Sequence, residues 1–242
     1  MAMILIEICV DDAQGLAAAI AGGADRVELC STLEMGGLTP APGLMALAGK
    51  APIRSRAMIR HRPGDFVLDK ADIATMRGDI AASRQAGLEG VVLGASLADG
   101  RLDLEALKNL VGAAGDMGKT LHRAIDLVPD MAEAVEQAIA LGFDTILTSG
   151  RAPSALEGLD DIALAHKIAA GRITIMPGSG VDHTNATHIL ARAPLEALHA
   201  SCSEPARAAS VPAARLGFSS PQRRSTSPAK VSALKAISAA AK

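Results

Sequence analysis

Residues 4–10 read ILIEICV and residues 26–30 read RVELC. In each short run one parity is aliphatic and the other is not. Ile6, Ile8 and Val10 share one face of a strand, and Glu7 and Cys9 share the other; Val27 and Leu29 share one face, and Glu28 and Cys30 the other. The aliphatic parity must meet a helix layer. The carboxylates and thiols then point into a second interior, which is what a barrel of parallel strands provides. The cysteines are expected nearer the C-terminal ends of their strands, where barrel sites are built.

The pattern recurs along the chain. Strands are predicted at 4–10, 26–30, 53–60, 90–95, 119–126, 145–150, 173–177 and 195–201, with helices near 13–22, 42–49, 70–86, 103–113, 130–141, 155–170, 183–191 and 229–241. Alternating elements mean parallel strands joined by crossover helices. Eight units at a spacing of about 20–30 residues predict an α/β chain folded as one (β/α)8 TIM barrel over residues 1–242. An open doubly wound sheet is the alternative. Asp103, Pro129-Asp130 and Ser227-Pro228 mark helix starts, and Gly22-Gly23, Gly87 and Gly142 mark ends. Residues 203–226 read as an irregular loop and 228–241 as a closing helix.

Composition narrows the function classes. With three Phe, no Trp and no Tyr, the chain lacks the stacking platforms of single-strand nucleic-acid binders. The net charge of −2 gives no global pull toward nucleic acid or membrane. Arg207, Arg215, Arg223, Arg224, Lys230, Lys235 and Lys242 crowd the last stretch, either as a solvated end or as a polyanion-binding tail. Three cysteines do not make a secreted disulfide framework, and the N-terminus has no signal-peptide pattern. The expectation is a cytoplasmic protein without a membrane span or nucleic-acid partner.

Parity extends the interior set. His122 and Asp126 share a face of the fifth strand, Met58 and Arg60 of the third, and His199 and Ser201 of the eighth. One mouth thus gathers Glu7, Glu28, Arg60, His122, Asp126 and His199, as a catalytic set or as an ion-pair network closing the barrel. Cys9 and Cys30, taken as level on neighbouring strands, suit Cu(I), a disulfide, or simply two small buried apolar groups. Gly178, Ser179, Gly180 and Ser201 follow strands seven and eight, where barrels bind phosphate through backbone N–H groups or where glycine merely lets the chain turn.

Several strings carry a family resemblance: ADRVELCS (24–31), GGLTP (36–40), MIRHRPGDF (58–66), LHRAID (121–126), LTSG with PSALEG (147–158) and IMPGSG (175–180). Together they resemble the CutC family, named for copper homeostasis, over residues 4–201 and more weakly near 226–240. The resemblance implies a cytoplasmic (β/α)8 barrel, dimeric or larger, with Cys9 and Cys30 at the place of the family's Cu(I)-binding cysteines. It also matches Glu7, Glu28, Arg60, His122, Arg123, Asp126 and His199 to characteristic polar positions. His61, Pro63 and Ala200 depart from the family pattern, and Cys202 adds a third thiol. Two functions follow: copper homeostasis through Cu(I) bound to Cys9 and Cys30, or a barrel lyase, isomerase or hydrolase acting on a small phosphorylated or carboxylated substrate.

Overall fold

Asp12, Asp69, Asp103 and Asp130 each accept hydrogen bonds from backbone N–H groups in the first turn of the next helix, so aspartate caps fix where four crossover helices begin. These helices lie between parallel strands in a computed structural model that describes residues 4–206, 210–218 and 223–240. The strands are β1 (Leu5–Val10), β2 (Arg26–Leu29), β3 (Arg54–Met58), β4 (Gly90–Leu93), β5 (Gly118–Leu121), β6 (Thr145–Thr148), β7 (Thr174–Pro177) and β8 (Ala197–Ala200). They run in the order β7-β6-β5-β4-β3-β2-β1-β8 and form a nearly closed TIM barrel, with β7 and β8 side by side at the seam.

Parity sorts the core into two compartments. Ile6, Ile8, Val10, Val27 and Leu29 are fully buried between strands and helices. Each such aliphatic side chain contributes roughly 1.5–3 kcal/mol of burial. The opposite parity fills the barrel itself. Leu5, Leu147, Met176 and Ala197 make a small apolar plug. Above and below it the interior is charged. Arg56 reaches Asp144, Glu89 and Thr120 toward the N-terminal end.

Six of the eight strands stop earlier than predicted, β3 and β5 among them. β5 ends at Leu121, and the Nδ1 of His122 accepts from the backbone N–H of Ala124 to open a short 3-10 turn, Arg123–Leu127. The side of Asp126 is therefore set by a helical turn and not by strand parity. β3 ends at Met58, and Arg60 lies on the loop beyond it. Residues 203–226, read as a loop, carry β9 (Ser203–Pro205) paired antiparallel with β10 (Arg224–Thr226), and a short helix Val211–Arg215. The last helix is Pro228–Ala240. Much of the cationic tail serves the fold: Arg224 and Lys230 donate to Ser203, and Lys235 pairs with Asp25. Arg207 and Lys242 lie outside the described residues. Among the described residues, no helix is long and apolar enough to cross a membrane.

Candidate functional site

Strand register builds the site. Glu7 on β1 stands level with Arg26 on β2 and with His199 on β8. Arg26 Nε donates to Oε2 at 2.5 Å, and His199 Nδ1 lies 2.8 Å from Oε1. Burial works to raise the Glu7 carboxyl, but Arg26 and His199 outweigh it and hold the pKa at about 2. One residue pair farther up, Cys9 is level with Glu28. His199 Nε2 is 3.8 Å from Glu28 Oε2, so the imidazole sits between two carboxylates. Burial opposes its charge, yet Glu28, Cys9 and Glu7 lift its pKa well above the usual histidine value. Glu28 moves opposite to Glu7: burial raises its carboxyl and Glu7 adds to the rise, with His199 opposing.

The outcome is a buried cluster in which a Cys9 sulfur, a Glu28 oxygen and a His199 nitrogen all lie within 4.8 Å of one another. Cys30 is not level with Cys9, because the register offsets it by two residues toward the mouth. With strands about 4.8 Å apart and a rise of about 3.3 Å per residue, the two Cα atoms are roughly 8 Å apart. That corrects the level placement read from the sequence, and it lies beyond disulfide reach without backbone movement. All three cysteines are free and buried. The Cys30 thiol donates instead to Glu28 Oε2 at 3.4 Å, and burial together with Glu28 pushes its pKa well up. Burial raises the Cys202 thiol to about 11.

Above the cluster opens a cavity of about 370 Å³ whose wall includes Cys9, Glu28, Arg60, His122, Arg123 and His199. Phe66, on the loop after β3, also lines it. Arg60 stands 5.2 Å above the Phe66 ring, and the His122 ring packs 4.7 Å from it. The His122 pKa is lowered to about 4, first by burial and then by Arg60, so the ring is neutral at pH 7. Asp126 stands behind this wall. Its oxygens accept from Thr148, the backbone and hydroxyl of Ser149, and Arg123 Nε, so it positions Arg123 at the rim. Ser179, Gly180 and Ser201 line the cavity. Gly178 supports the wall from behind: a Cβ there would come within 2.5 Å of Leu147, so glycine permits the close approach of β7 to β6. His61 pairs with Asp72, away from the cluster.

Sequence reasoning missed Arg26, Arg56 and Phe66. Arg26 shares parity with Glu28 and Arg56 with Met58, so the signal for the first two was present. Phe66 offered none, since its place is set by a loop.

The sequence profile of the CutC family matches residues 4–204. The chain belongs to the CutC family. A CutC family protein of Rhizobium meliloti (strain 1021) is 53% identical over 236 residues, covering 98% of this chain and 96% of that one. One from Caulobacter vibrioides (strain NA1000 / CB15N) is 52% identical, with 98% of each chain covered. A solved Streptococcus agalactiae CutC, described as a candidate copper homeostasis protein, is 30% identical with a TM-score of 0.78, covering 82% of this chain and 99% of that one. A Zymomonas mobilis 2-keto-3-deoxy-6-phosphogluconate aldolase, 16% identical at a TM-score of 0.57, shares the barrel fold alone; the alignment covers 99% of this chain and 93% of that one. In this CutC chain, the strings that carry the resemblance supply the cavity wall: RVELC brings Glu28, MIRHRPGDF brings Arg60 and Phe66, LHRAID brings His122 and Arg123, and IMPGSG brings Ser179 and Gly180.

Proposed function

We propose that this CutC chain binds Cu(I) at the floor of the barrel mouth, with Cys9 and Cys30 as thiolate donors. The observation that carries the reading is the buried Cys9–Glu28–His199 cluster, with the Cys30 sulfur on the same Glu28 carboxylate. A soft ion selects the two sulfurs over the carboxylate. An offset that is too wide for a disulfide still leaves room for an ion between two thiolates. Glu28 and His199 then hold the donors' surroundings rather than the ion. The copper description of the Streptococcus agalactiae relative supports the same reading. Three free, buried thiols suit a reducing compartment, and we place the protein in the cytoplasm.

Anaerobic Cu(I) titration against a competing chelator is the test. Wild type is expected to bind one ion, and Cys9→Ser/Cys30→Ser to lose affinity by at least about tenfold. Because Cys30 must release a proton held by burial and Glu28, affinity is expected to rise with pH. Binding that is indifferent to both cysteines sinks the copper reading.

A second reading, a barrel enzyme, draws on the opposed shifts of Glu7 and Glu28 around His199, the pattern of an acid and a base kept apart in one site. Self-association is proposed for the exposed apolar group Val211, Leu216 and Phe218 on and after the short helix of the 203–226 segment. Light scattering on Leu216→Ser/Phe218→Ser is expected to give a smaller particle than wild type; an unchanged mass rejects this surface.

A further inference from the structure

Two donors and one acceptor in the wall of the mouth are buried and unpartnered. Arg60 gives its terminal nitrogens to the carbonyls of Met35, Gly37 and Gly64, and its Nε has no partner. No carboxylate lies within ion-pair distance of this guanidinium among the described residues, and the charge that acts on it is that of Arg62. His122 Nδ1 accepts from Ala124, so the neutral ring carries its proton on Nε2, which is also without a partner. Glu28 Oε1 is the third such atom. Buried polar groups are nearly always satisfied, and of the five unpartnered buried side-chain atoms among the described residues these three belong to residues that line one cavity, where a ligand can supply the partners.

We infer that the mouth binds a small hydroxylated anion, whose carboxylate or phosphate oxygens accept from Arg60 and His122 while its hydroxyl donates to Glu28. Phe66 clamps both donors by packing against each, which holds them in place before the ligand arrives. Arg123, fixed by Asp126 and Ser149, adds a second cation at the rim. A cavity of about 370 Å³ lies at the small end of ligand sites, and suits a compact metabolite. Arg60 carries a fixed charge with which no carboxylate pairs among the described residues. A structural ion-pair network does not leave such a charge, and an anion site requires one. The inference goes beyond the copper reading and stands without it.

The test titrates copper-free, full-length protein by calorimetry at low salt with glycerol 3-phosphate, D-glycerate, inorganic phosphate and acetate. The hydroxylated member of at least one pair is expected to bind about tenfold or more tighter than its simple counterpart, which also identifies the head group. Arg60→Gln is expected to weaken that binding at least about tenfold. Since Arg60 also ties three loop carbonyls, a second readout uses wild type alone: the His122 imidazole nitrogen resonances shift on titration. Failure of all four probes to bind, a folded Arg60→Gln that binds as wild type does, or an unmoved His122 signal overturns the anion site. Equal binding of phosphate and glycerol 3-phosphate, and of acetate and glycerate, overturns the hydroxyl contact to Glu28. Because copper is absent throughout, these outcomes are independent of the thiol titration.

Discussion

Arg26→Met is expected to destabilise the barrel by about 3–5 kcal/mol, a fall of roughly 6–20 °C in Tm for a chain of this size. Glu7 is fully buried, and its Oε2 rests on Arg26. Removing the guanidinium leaves a buried carboxylate with one cation in contact, His199, that Glu28 also claims. The loss is one of compensation, not of packing. The double variant Glu7→Leu/Arg26→Met should therefore recover most of the stability, since a buried pair replaced by apolar groups is often near neutral. Urea unfolding of the two variants decides it, and a double variant as weak as the single one refutes the argument. Acid titration of wild type carries the same physics. The His122 pKa is depressed from 6.5 to about 4, so its contribution is present above pH 6.5 and is lost as pH falls toward 4. Glu7 is depressed from 4.5 to about 2, so its contribution is present above pH 4.5 and is lost as pH falls toward 2. Stability should decline in that order, and Arg26→Met should flatten the lower limb.

Gly94→Val is expected to cost about 3 kcal/mol, the upper end of overpacking, and to disturb the mouth as well as the fold. A Cβ at Gly94, directly after β4, would stand 2.4 Å from Cε1 and 2.5 Å from Nδ1 of His122. The ring cannot retreat easily. The backbone of Ala124 holds its Nδ1, and the Phe66 ring packs against it at a tilt. Either β4 shifts or His122 leaves the wall. Thermal melts measure the first outcome, and the His122 ring resonances measure the second. An unchanged melt together with an unchanged imidazole signal would show that the wall is more compliant than its contacts imply.

The residues that were legible in the sequence share one property: their direction follows from strand parity. Parity directs Glu7, Cys9, Glu28, Cys30 and His199 into the barrel, and all five are buried. Arg26 and Arg56 obey the same rule, but an arginine reads as surface until a partner is known. Parity failed where the strand stopped. His122 remains in the wall, but Asp126, four residues on, is turned behind it by a 3-10 turn. Phe66 and Ser179 reach the cavity from loops, where no period applies.

By itself, the sequence determined the alternation of eight strands and helices, the sorting of aliphatic and polar parities, and membership of the CutC family, because these depend on local period and on strings of residues in order. Register was decided only by the tertiary structure. A one-dimensional pattern says which face a side chain takes, but not which residue stands opposite it. Pairing Cys9 with Glu28, and Glu7 with both Arg26 and His199, depends on how β1 slides against β2 and β8 as the barrel closes. That slide separated the two cysteines and set one imidazole between two carboxylates.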